Sequence, residues 1–295
     1  MSEQRIPHHR QSLITVNEAL YDGIKPWMSN SVRNWVEARF CHISGAHSYY
    51  RNKLMHEVEL HSRLTFLHNS DGIGLYRGAM AVFNSDENFA LDIVQAIVEL
   101  CRVTKNYEYD EMAVVVGVLH ELDTILVKGG SKWHVVIDGE RARIEARVSQ
   151  TTTAAYEKLT DSQEDYAQLL KTSWQYCYGR LPNSSETYTY AIRSVEAVCW
   201  RAITPNNNKA TLGTLIKDID AQAKAGKLTV AFKDKKEGDT IGTVSSMMKR
   251  LWEGQTDRHA TGEYIQPSQV EAESALHLAI TLCHMFTSGM ISRKP

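Results

Sequence analysis

In the stretch Thr240-Ile241-Gly242-Thr243-Val244-Ser245-Ser246-Met247-Met248-Lys249-Arg250-Leu251, the residues Val244, Met247, Met248 and Leu251 recur at helical spacing. The connection that follows, Trp252-Glu253-Gly254-Gln255-Thr256-Asp257-Arg258-His259-Ala260-Thr261-Gly262-Glu263, sets charged and titratable side chains among small ones. Beyond it, Ser268 to Met285 carries Val270, Ala272, Ala275, Leu278, Ala279, Leu282 and Cys283 as the face of another helix. Two helices joined by a tight connection predict a helical bundle. An imidazole and a guanidinium on that connection can act together on an anionic centre, the first moving a proton near neutral pH and the second clamping a phosphate.

Working outward, the same bundle extends upstream. Helical patterns are predicted over Asp165–Tyr178 and from about Glu186, after the capping loop Leu181-Pro182-Asn183-Ser184-Ser185. In the first half, Asn30–Phe40, Tyr49–His68, Asn88–Val103 and Asp110–Lys128 read as helices. Gly23 and Pro26 act as breaks before the first, and Asp71-Gly72-Ile73-Gly74 breaks the second. Leu54, Val58, Leu60, Leu64 and Leu67 form the expected apolar set of the second helix. Trp133–Ile137 and Arg141–Arg147 flank Asp138-Gly139, a hairpin signal. Arg141, Arg143, Glu145 and Arg147 alternate with apolar residues, as on a half-exposed strand. The predicted class is mainly α: residues 1–150 a helical domain ending in a β-hairpin, residues 151–295 a helical bundle.

Bulk properties narrow the function. The 295 residues are 43% hydrophobic and 23% charged, with net charge −2. That is an ordinary globular composition without the basic excess of a non-specific duplex binder. The five cysteines are scattered and never spaced as Cys-x-x-Cys. Together with an N-terminus lacking an apolar leader and a chain lacking an apolar span, they imply a reducing, cytoplasmic setting with no membrane. Gly-x-Ser-x-Gly, phosphate-loop, dinucleotide-fold and His-Glu-x-x-His signatures are all missing, and no cofactor or metal is implied. His47, His56, His61 and His68 form a loose series in which Glu57 precedes His61 by four, but no third ligand stands nearby.

Three motifs together resemble the C-terminal domain of bacterial abortive-infection proteins, a module related to the HEPN superfamily, over about residues 187–289. They are the opening helix Tyr190-Ala191-Ile192-Arg193-Ser194-Val195-Glu196-Ala197-Val198-Cys199-Trp200, the helix start Lys209-Ala210-Thr211-Leu212-Gly213-Thr214-Leu215-Ile216, and Gly254 to His259 with Ala272–Ala279. The resemblance implies a HEPN-like bundle in an anti-phage defence protein that acts by RNA or partner binding. The alternative it implies is a metal-independent endoribonuclease. In that case His259 moves the proton and Arg258 holds the phosphate, with Asp257 and Arg250 beside them. Catalytic members carry an Arg, a polar residue and four to six further residues before the His. Here Trp252, Glu253 and Gly254 occupy the positions where that Arg would stand. Lys209, Asn207 and Gln255 are the expected nucleic-acid contacts. A homodimer is expected through the helix over 268–285, whose apolar residues exceed one stripe.

Overall fold

A computed structural model of the chain describes residues 20–44, 47–67, 72–103, 109–205, 210–233, 239–255 and 265–294. It is mainly helical, with eleven helices and three two-stranded antiparallel sheets among those residues. The chain forms two compact units, Met1–Arg147 and Val148–Pro295.

In the N-terminal unit, α1 (Pro26–Phe40) begins at the proline itself. Pro26 breaks nothing here, because a proline in the first turn lacks only an N–H that would have no helical partner. Met28, Val32, Trp35, Val36 and Phe40 form its buried stripe, and the Trp35 indole donates to the Val118 carbonyl at 2.9 Å. Two strands follow, β1 (Cys41–Ser44) and β2 (His47–Tyr50), so the helix expected from Tyr49 starts later. It is α2 (Asn52–Ser62), closed by Arg63 in a left-handed conformation. Of its expected apolar set Val58 is buried, but Leu60, on the opposite side of the helix from Val58, and Leu67, beyond the helix end, are exposed. Gly72 opens α3 (Gly72–Ser85) where a break was expected.

The next helix, α4 (Glu87–Leu100), is capped by Asp86, whose carboxylate accepts the Asn88 N–H at 2.7 Å. It buries residues nearly all round and is packed by α2, α3 and the hairpin. After α5 (Tyr109–Lys128) the hairpin forms from β3 (Trp133–Asp138) and β4 (Arg141–Ala146). Asp138 pairs with Arg141, so the turn is Gly139-Glu140, and Gly139 supplies the positive φ of 62°. The polar arm is not uniformly exposed. Glu145 is only 2% exposed and accepts from Arg143 Nε at 2.5 Å.

The C-terminal unit is built on α8 (Ser184–Ile203), whose Asn183 cap accepts the Glu186 N–H at 3.1 Å. It packs against α7 (Asp165–Tyr178), α9 (Leu212–Lys224) and α11 (Gln269–Thr287), while α6 (Gln150–Thr160) covers α7 and α11. Small residues let α8 and α11 approach closely: Ser194 and Cys283 meet at 3.7 Å. The neighbour of both α9 and α11 is α10 (Asp239–Glu253), and β5 (Leu228–Val230) pairs with β6 (Ile291–Arg293). A capping box, Ser268 with Glu271, starts α11. Ala272, Ala275, Leu276, Ala279, Ile280, Leu282, Cys283 and Phe286 of α11 are buried, covered within the unit by α6, α7, α8 and α10. Val270, expected on that face, is 72% exposed.

Candidate nucleic-acid interface

The connection between α10 and α11 is fastened at both ends to the first half of α8. At its start the Gly254 N–H closes α10 on the Arg250 carbonyl at 3.0 Å. A Cβ at Gly254 would strike the Tyr188 hydroxyl, so α8 and the end of α10 meet at a point that only glycine allows. Gln255 then donates from its side-chain amide to Thr189 Oγ1 at 3.0 Å. At the far end Gln266 donates to Ser184 Oγ at 3.2 Å. Asp257, Arg258 and His259 lie outside the described residues, between these two anchors. Arg250 is exposed in the last turn of α10, where a cation is favoured by the helix dipole.

The second stretch singled out in the sequence also ends on α8. Asn207 and Lys209 lie outside the described residues, but the helix start beyond them is held by Glu196, whose carboxylate accepts the Leu212 N–H at 2.6 Å. Burial raises the Glu196 pKa, opposed by the Leu212 N–H and by the charge of Arg193. At the second residue of α9, Gly213 leaves room for the Trp252 indole, which stands 3.0 Å from where a Cβ would be.

Thr189, Arg193 and Glu196 are spaced i, i+4, i+7 on α8, which puts them on one face. They span about 10 Å along the axis at ~1.5 Å per residue. Arg193 is exposed between the two anchors and lies over the Tyr190 ring at 5.3 Å, while Tyr190 stacks on Tyr176. The face therefore offers a guanidinium and an aromatic pair beside two tethered connections. Thr189, Arg193 and Gln266 escaped the sequence reading, because only tertiary packing brings them to the same place. The one local hint was glycine at 213 and 254, each serving a close approach.

Of the histidine series, His68 and the His47 side chain lie outside the described residues. His61 Nε2 lies 2.5 Å from Glu99 of α4, while Glu57, the expected partner, faces Lys53 at 3.9 Å. Another histidine is better placed: His277 on α11 meets the Tyr178 hydroxyl at 2.7 Å, at the end of a stack running Tyr156, Trp174, Tyr178. Burial pushes the Tyr178 hydroxyl pKa far up, so it stays protonated. Among the described residues no group of three or more His, Cys, Asp or Glu is placed to hold a metal. Nor is any helix there long and apolar enough to cross a membrane. No protein-family model, curated protein or solved structure matches the chain.

Proposed function

We propose that the C-terminal unit binds RNA on the Thr189–Glu196 face of α8, as the HEPN-like module of an anti-phage defence protein. The observation that carries this reading is the double tether, with Gln255 on Thr189 and Gln266 on Ser184. Gln255 and Gln266 bracket Asp257-Arg258-His259 in the sequence, and both are fixed to a helix face that exposes Arg193. Arg258, Arg193 and Lys209 supply charge to phosphates, and His259 supplies a further donor when protonated. With a net charge of −2, affinity comes from this local cluster and not from the whole surface. Two copies joined through α11 would use its exposed stripe, Val270, Ser274, His277 and Thr281, which light scattering on that set of variants tests.

The test is gel-shift titration of the full chain with labelled single-stranded RNA, with the RNA checked for integrity. Binding should weaken as salt rises, and Arg258→Ala should flatten the log–log slope by about 0.7, one single-strand phosphate contact. Absence of binding at about 50 mM salt overturns the reading, since phosphate contacts are strongest there. Cleavage by wild type that disappears in His259→Ala makes the site a ribonuclease instead of a binder.

A further inference from the structure

A cleft of about 610 Å³ runs between α9 and α10, inside the range of small-ligand sites. Gly213, at the start of α9, touches Trp252, at the end of α10, so the two helices lie antiparallel. Stepping one turn at a time from that contact brings Lys217 level with Lys249, then Asp220 level with Ser245. The lining thus changes in order: an indole at one end with the Glu253 carboxylate beside it, two ammonium groups in the middle, a carboxylate and a hydroxyl beyond.

Ser245 points to a ligand. It is only 7% exposed, lines the cleft and makes no hydrogen bond among the described residues. Its neighbours behave otherwise: Thr243 donates back to the Asp239 carbonyl at 3.0 Å and Ser246 to the Gly242 carbonyl at 2.8 Å. Lys217 forms no ion pair among the described residues, and Lys249 has only Glu253 at 3.7 Å. A hydroxyl that opens on the cleft and a lysine have donors to spend there.

We propose that this cleft binds a nucleotide, independently of the reading given to Asp257–His259. The base stacks on Trp252, the phosphate sits between Lys217 and Lys249, and a ribose hydroxyl meets Asp220 and Ser245. Aromatic stacking with flanking cations is the chemistry that holds unpaired bases. The order base, phosphate, next ribose matches a step of single-stranded RNA better than a lone mononucleotide, which leaves Asp220 and Ser245 unused.

The experiment is calorimetric titration of the full chain with AMP, with the dinucleotide ApA and with a single-stranded A10 RNA. Gly242→Leu plugs the cleft without endangering the fold, because nothing lies within 4 Å of a Cβ there and leucine favours the helix more than glycine. ApA and A10 binding that falls at least tenfold in Gly242→Leu and in Lys217→Ala supports a strand site. AMP binding with the same sensitivity, and equal to ApA, supports a free-nucleotide site of the same chemistry. Binding untouched by Gly242→Leu, Lys217→Ala and Lys249→Ala, or no binding by any of the three probes, overturns the proposal. If A10 binding depends on Arg258 and not on the cleft variants, the α8 reading stands and this one falls. The opposite pattern removes the α8 reading alone.

Discussion

The carboxylate of Glu196, in the middle of α8, accepts the backbone N–H of Leu212, the first residue of α9, at 2.6 Å. Thr211, in the cap position, makes no side-chain cap, so a residue from the preceding helix does that work across the turn. The same carboxylate therefore fixes where the chain enters α9.

Replacing Glu196 separates its hydrogen bond from its charge. Glu196→Ala leaves the Leu212 N–H without its acceptor and should destabilise the C-terminal unit by about 1 kcal/mol, as lost caps do. Glu196→Gln keeps an acceptor. Because burial raises the folded pKa above 4.5, the folded state holds the proton more tightly than the unfolded one. Stability from this group is then fully present below 4.5 and declines as pH rises through the folded value. Urea unfolding across that range should show the decline in wild type and lose it in Glu196→Gln. An identical pH profile for the two would sink the assignment.

Where the sequence could be read, the signal was local. The periodic apolar residues of α4, α7, α10 and α11 each lie within one helix, and Asp138-Gly139 announces its hairpin within four residues. Pro26 and Gly72 misled because both can either break a helix or start one, and only the chain on either side decides. Leu67 misled because the helix ends at Ser62, and Leu60 because it stands two residues after the buried Val58, on the opposite side of the helix. The site was legible as a segment and not as a place. Its anchors, Thr189 to Gln255 and Ser184 to Gln266, join residues 66 and 82 apart, and no spacing rule encodes such partners.

Gly254→Ala tests the close approach of α10 to α8. The added methyl meets the Tyr188 hydroxyl, and Tyr188 is buried, so the ring has little room to retreat. A loss of roughly 1–3 kcal/mol is expected, the usual cost of overpacking. Tyr188→Phe in the same chain removes the clashing oxygen and should recover part of that loss. Denaturant midpoints of the two single variants and the double measure the coupling, and strictly additive values would show that the two residues do not meet.

All five cysteines are free, yet they should not react alike. Burial pushes the thiols of Cys177 and Cys283 up to about 12, and that of Cys199 higher still. The thiolate is the reactive species, so these three should resist a disulfide reagent at neutral pH until the chain is unfolded. Cys41 and Cys101 are half-buried and should account for whatever labels first. Mass spectrometry of the natively labelled chain decides it, and early modification of Cys199 would contradict the packing of α8.

The hairpin carries a pH response of opposite direction to that of Glu196. His134 stands across from Glu145 in the β3–β4 register, and the neighbouring Val135 N–H is held by Asp123 at 2.9 Å. Burial lowers the His134 pKa below 6.5. Glu145 and Asp123 pull it back up, and Arg147 and Arg143 add to the lowering. The unfolded chain therefore takes up a proton at 6.5 that the folded hairpin resists. Stability from this group is complete above 6.5 and is lost as pH falls from there toward the folded value. Hydrogen exchange of the Val135 and Ile144 amides should consequently quicken, relative to its intrinsic rate, between about pH 7 and pH 5.5. His134→Gln removes the titrating ring, so the extra quickening should vanish in that variant. Its persistence there would assign the response to another group.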